Sequence, residues 1–107
     1  MDSQHFRKVV KDCIESINTV LVNKSKEYST DSDKLHNFNE AAKLLGCTNV
    51  FALAGMMNKH IVSVYDIIKK YETNKQLPTK ELLNEKIGDS INYLILLKAC
   101  FLDKLEK

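Results

Sequence analysis

Proline and glycine are scarce in this chain, with one Pro and three Gly among 107 residues. Tight β-turns draw heavily on both, so an all-β fold of many short strands is excluded. Tryptophan is absent and only four Phe and four Tyr occur, so core volume must come mainly from Leu, Ile, Val and Ala. The three cysteines, Cys13, Cys47 and Cys100, are odd in number, far apart and without a CxxC pair. That pattern argues against a disulfide framework or a zinc site and makes a reducing compartment the default, with buried packing as their expected role. Excess charge is also missing. Sixteen Lys+Arg against fourteen Asp+Glu leave a net charge of +2, too little for a dedicated binder of nucleic-acid polymers. The longest apolar-rich run, Tyr93 to Leu102, is broken by Lys98 and is about half of what a bilayer span requires. Met1 to His5 has no apolar h-region. The expectation is an intracellular protein without a membrane segment.

What is present points to helices. The chain is 44% hydrophobic and 28% charged, enough for one modest core, so residues 1–107 read as a single domain. Phe6, Val9, Val10, Cys13, Ile14, Ile17, Val20 and Leu21 recur at steps of three and four. They share an arc of about 140°, which predicts an amphipathic helix from about Ser3 to Lys26. The polar stretch Ser29 to Asp33 ends it. A short second helix is expected at Asn37-Phe38-Asn39-Glu40, where Asn37 and Glu40 resemble a capping box, with Gly46 as the residue that closes it. Thr48 is the expected N-cap of a third helix running from Asn49 to about Glu72. Pro78 interrupts the next loop, and Thr79 caps a fourth helix from Lys80 nearly to the chain end. At 1.5 Å per residue that last helix is roughly 40 Å long. It should overhang a compact monomer or be covered by a partner subunit. The fold class is therefore all-α, with four helices, three long and one short.

The fourth helix carries two rows. Its main apolar stripe is Leu83, Ile87, Ile91, Leu94 and Ile95; opposite lie Glu85, Asp89 and Asn92, in a row that continues as Leu96 and Cys100. The acids read either as solvated groups or as a partly buried strip that needs a partner, because charge is seldom buried unpaired. On the third helix His60 lies among Met56, Val64 and Ile67, as a packed core residue or as a ligand. Lys59, Ser63, Asp66 and Lys70 share a neighbouring face. They form either a solvated stripe of (i, i+3) and (i, i+4) pairs or, with Lys59 beside His60, a pair of donors for phosphate. A third cluster, Lys24 to Tyr28 followed by Asp33 to Phe38, adds Lys24 as a basic group and Tyr28 and Phe38 as loop anchors or stacking rings.

Four blocks in order then carry a resemblance. They are Lys26-Glu27-Tyr28; Leu35-His36-Asn37-Phe38 with Ala41-Ala42; Gly55-Met56-Met57-Asn58-Lys59-His60 with Ser63-Val64-Tyr65-Asp66; and Glu85-Lys86-Ile87-Gly88-Asp89 with Ile91-Asn92-Tyr93-Leu94. Together they resemble a family of small helical proteins of tailed phages and prophages in low-GC Gram-positive bacteria. That family is loosely similar to phage nucleotide-modification-associated domains, and through them to MazG-like all-α nucleotide pyrophosphohydrolases. The resemblance implies a MazG-like bundle in the cytoplasm of an infected bacterial host.

It also brings a chemical test. Such enzymes hold Mg²⁺ with paired acidic motifs, because the ion takes carboxylate oxygens together with substrate phosphates. Glu85 and Asp89 stand at the second motif, one residue wider; the first motif is missing, and the third helix offers only Asp66. No catalytic residue is assigned. The leading expectation is a homo-oligomer that binds a small nucleotide, with no cofactor. Its concrete form is the sequestration of a cyclic or ADP-ribose-like signal of host antiviral defence. Lys59 and His60 would hold phosphate, Glu85, Asp89 and Asn92 would read polar edges, and Tyr28 or Tyr93 would stack. Lys24 and Asp66 complete the candidate set. One alternative is a Mg²⁺-dependent pyrophosphohydrolase using Asp66, Glu85 and Asp89; another is a helical protein-interaction module.

Overall fold

The computed structural model describes residues 1–23 and 33–107. Four α-helices account for most of them: α1 (Ser3–Ile17), α2 (His36–Leu45), α3 (Asn49–Asn74) and α4 (Lys80–Leu105). Among the described residues there is no strand, so the all-α expectation holds. Lys24 and Tyr28 lie outside the described residues.

The helix boundaries follow from local chemistry. The Thr48 hydroxyl accepts from the Phe51 N–H at 3.1 Å, and the Thr79 hydroxyl accepts from Leu82 at the same distance. Each satisfies an N–H that helical bonding leaves orphaned, as a threonine N-cap should. Gly46 follows α2 at φ 68°, a left-handed conformation that a Cβ disfavours.

The expected capping box at the start of α2 is not formed. Leu35 occupies the N-cap position, and Asp33 supplies the acceptor instead, taking the Leu35 N–H at 3.0 Å. Glu40 turns outward to Lys43 at 3.2 Å. The other Asp33 oxygen accepts from the Asn39 side-chain amide, and the Asn39 carboxamide oxygen accepts from the Asn49 side-chain amide at 2.9 Å. This polar chain ties the first turn of α2 to the first turn of α3.

The first helix also departs from expectation. Regular α-helix stops at Ile17 and continues as a wider π-helical segment, Asn18–Asn23. The Thr19 hydroxyl donates to the Glu15 carbonyl at 3.0 Å, competing with the backbone just where the winding loosens.

Helices α3 and α4 form an antiparallel hairpin. Residues early in α3 meet residues late in α4: Leu53 and Cys100 are both fully buried in one cluster with Leu35 and Phe38. Val50, Met56, Met57, Tyr93, Leu96, Leu97 and Ala99 pack around that cluster. Farther along α3, His60 meets Asp89 and Tyr93. Helix α1 lies against the other side of α4. A groove of about 400 Å³ separates them, lined by residues that include Cys13, Ile17, Leu83, Ile87 and Ile91.

The side of α4 that the core uses is the unexpected one. The row of Asp89, Asn92, Leu96 and Cys100 faces α3 and α2, with Asn92 and Cys100 buried. The stripe that looked like the main apolar face leaves Ile87, Leu94 and Ile95 exposed. Both rows carry carbon, and α3 meets the one that sets Asp89 beside His60. None of the residues of α1, all of them described, is buried.

Candidate functional site

The seam between α3 and α4 collects the polar groups. His60 sits two turns beyond Leu53 on the core side of α3, so its imidazole enters the seam with 17% of its surface left exposed. Nδ1 of His60 lies 3.5 Å from Oδ2 of Asp89, whose side chain is 37% exposed. The imidazole stacks on the ring of Tyr93, with centroids 4.7 Å apart and planes inclined by 27°. Phe38, buried on α2, meets the same ring edge-on at 6.3 Å and 73°. Four residues from three helices thus converge, and the two aromatic contacts fix the orientation of the Tyr93 ring.

Burial raises the Tyr93 phenol above its ordinary pKa, and the nearby Asp89 carboxylate raises it further. Both effects disfavour a phenolate, the first by removing water and the second by like charge. Tyr93 is therefore a neutral hydroxyl, able to donate a hydrogen bond. One face of its ring is taken by His60, so stacking against a base is not open to it on that side.

Asn92, one turn from Asp89, is 5% exposed, and its carboxamide oxygen has no hydrogen-bond partner. A buried acceptor left unpaired costs about 1–3 kcal/mol. Ser90, also buried, donates back to the Lys86 carbonyl at 3.0 Å and is satisfied within its own helix.

The remaining candidates stand farther out. Lys59 precedes His60 in the chain and is exposed. Ser63 donates to the Lys59 carbonyl at 2.9 Å, which takes its hydroxyl out of the stripe. Asp66 is exposed on α3. Glu85 is exposed at the N-terminal half of α4 and lies 3.5 Å from Lys86. His60, Asp89 and Tyr93 are thus brought into contact, with Asn92 on the same side of α4, whereas Asp66 and Glu85 are not drawn into that group.

The donor set bears on Mg²⁺ directly. Among the described residues, no three His, Cys, Asp or Glu side chains stand close enough together to hold a metal ion. The described residues do not fit a carboxylate cage for the ion.

Two clefts lie on the protein, both away from the seam. One is the α1–α4 groove. The other is a shallow polar hollow where the starts of α2 and α3 meet the end of α4, with Asn39, Asn49, Asp103 and Lys104 in its wall. Among the described residues no helix is long and apolar enough to cross a membrane.

Two features of the site were not anticipated. Phe38 forms a wall of the Tyr93 environment rather than only anchoring its loop. The Asp33–Asn39–Asn49 chain braces the helix that carries Phe38. An Asp three residues before the first helical residue, His36, was the available signal for the second. No family model, curated protein or solved structure matches this chain.

Proposed function

We propose that the chain binds a small nucleotide at the α3–α4 seam. The observation that carries this reading is the unpaired carboxamide oxygen of Asn92, 95% buried on the same side of α4 as Asp89 and one turn from it. A hydroxyl or amino group of a ribose or base that entered the seam as α3 and α4 parted would relieve it, and such groups are what a nucleotide offers alongside phosphate. His60 and the adjacent Lys59 supply cationic or neutral N–H donors for phosphate oxygens. Asp89 takes the role of a second acceptor and keeps the imidazole oriented. The neutral Tyr93 hydroxyl adds a donor. These groups can hold a nucleotide without a metal cage, which no three side chains of the described residues form, so the reading is capture rather than Mg²⁺-dependent turnover. The resemblance to phage proteins supports its concrete form, a sequestering protein that withholds a cyclic or ADP-ribose-like signal of host defence.

Thermal unfolding with a panel of mononucleotides, cyclic dinucleotides and ADP-ribose derivatives, with and without Mg²⁺, tests it. A ligand at a hundred times its Kd raises stability by about 2.7 kcal/mol. The shift should vanish in His60→Ala and weaken in Lys59→Ala. Absence of a shift with every member would sink the proposal. Release of pyrophosphate from a nucleoside triphosphate, abolished by Asp89→Asn, would move the reading to the pyrophosphohydrolase.

A second reading, a helical protein-interaction module, is favoured by one observation: the apolar side chains that α1 and the outer stripe of α4 leave exposed.

A further inference from the structure

Exposed apolar side chains occur on every helix, Leu44, Leu45 and Phe51 of α2 and α3 among them, and seven of them lie on α1 and the outer stripe of α4. Phe6, Val9, Val10 and Ile14 on α1 are between 43% and 60% exposed, and Ile87, Leu94 and Ile95 on α4 between 39% and 52%. Both helices turn carbon outward, and both border the groove that α1 fails to fill. An amphipathic helix whose stripe is half in water has gained little from the hydrophobic effect that should hold it.

The area of the whole chain says how much is uncovered. A compact monomer of 12.3 kDa exposes about 6,100 Å², whereas this chain exposes 8144 Å². Residues 24–32 do not account for the difference. Even at the full exposure of an unfolded segment, about 1,500 Å² for nine residues, they would leave about 6,600 Å² on the rest, about 900 Å² more than the roughly 5,700 Å² of a compact chain of that remaining size. An ordinary stable interface removes about 800 Å² from each partner. The shape agrees: the radius of gyration is 16.1 Å, against about 13 Å for a compact chain of this length.

We infer that a second copy of this chain covers the α1–α4 face, so that α1 and α4 of one subunit pack with α1 and α4 of the other around a shared apolar core. A two-fold pairing sets a surface against itself and requires only that it be self-complementary. A face carrying Phe, Val and Ile on α1 and Ile and Leu on α4 meets that requirement, because carbon packs on carbon in either sense. The α1–α4 groove then closes as part of a four-helix layer, and α1 gains the burial that its own chain does not give it. The His60–Asp89 pair lies on the opposite side of α4, facing α3. Ligand binding and pairing therefore occupy different surfaces, and the inference does not rest on the nucleotide reading.

Sedimentation of residues 1–107 from about 1 to about 100 μM, a range that reads micromolar affinities, tests it. The wild type should sediment at twice the chain mass. Ile14→Glu and Leu94→Glu should each shift it to the monomer, while Leu44→Glu, on an exposed leucine of α2 away from the face, should leave the dimer intact. Thiol labelling gives a second measurement that does not depend on how the variants fold. Cys13 lines the groove and should be blocked in the dimer and react faster on dilution. A wild type that stays monomeric throughout the range would overturn the inference and assign the face to a different partner. Dimers that survive both glutamate substitutions, with Cys13 labelling independent of concentration, would overturn it as well.

Discussion

The imidazole of His60 lies flat against the ring of Tyr93, 4.7 Å between centroids, while its Nδ1 reaches to 3.5 Å from Asp89 on the preceding turn of α4. One side chain of α3 is thereby held by two neighbours of α4, one through its face and one through its edge. That arrangement gives the site its order, and it makes the ionisation of Tyr93 a reporter of the seam.

Ultraviolet titration should therefore find one phenol ionising above the ordinary value of about 10, assigned to Tyr93 by its loss in Tyr93→Phe. Burial is the larger cause of the raised pKa and Asp89 the smaller, so Asp89→Asn should bring it down only part of the way. A full return to the ordinary value would mean that charge, not desolvation, dominates. The sign for stability follows. A folded-state pKa above the unfolded one means that the unfolded chain loses its proton first, so this contribution is complete below about pH 10 and is lost as pH rises through the folded pKa.

Asn92 should show opposed effects on stability and binding. Replacing it with leucine removes a buried acceptor that has no partner and keeps the branching and the number of side-chain heavy atoms, at a larger volume. Thermal unfolding of the free protein should be unchanged or improved by about 1 kcal/mol. The ligand-induced shift should fall at least tenfold in apparent affinity, because the substitution removes the acceptor that the nucleotide would pair. A variant that loses stability by more than about 2 kcal/mol would indicate an Asn92 oxygen already satisfied in the free protein.

Two leucines separate core from surface. Leu53 is fully buried between α2, α3 and α4, and Leu44 on α2 is 89% exposed. Leu53→Ala should cost about 2–5 kcal/mol in denaturant unfolding, and Leu44→Ala less than about 0.5 kcal/mol. Similar losses at both positions would mean that α2 is seated differently.

How much of this was legible in the sequence depends on how local the cause is. Thr48, Thr79 and Gly46 could be read directly, because a hydroxyl three residues from an orphan N–H or a single left-handed φ decides each boundary. The start of α2 could not be read from Asn37 and Glu40, since Asp33, Asn39 and Asn49 form a chain that reaches into the next helix. Periodicity placed Asp89, Asn92, Leu96 and Cys100 in one row of α4 and Leu83, Ile87, Ile91, Leu94 and Ile95 in another. It could not say which row the core would take, because both are rich in carbon. The choice belongs to α3, whose Leu53, Met56 and His60 find Cys100, Tyr93 and Asp89 opposite them. The contact between His60 and Tyr93 is invisible along the chain for the same reason.

Helix α1 should gain its protection from concentration rather than from its own chain. It has fifteen residues, Asp2 caps it by accepting the His5 N–H at 2.8 Å, and none of its residues is buried. Helices of about 12–15 residues are marginal in water when nothing packs on them, and one cap adds only about 1 kcal/mol. In a dilute sample its amides should therefore exchange by local opening, far faster than those around Leu53 and Cys100. Raising the concentration into the dimeric range should slow exchange over Phe6 to Ile17 and leave the α3–α4 seam unchanged. Mass-spectrometric hydrogen exchange at two concentrations reads this directly. Equal protection of α1 at both, matching that of α3, would show that contact with α4 of its own chain is enough to hold it. In that case the surplus surface would need another explanation.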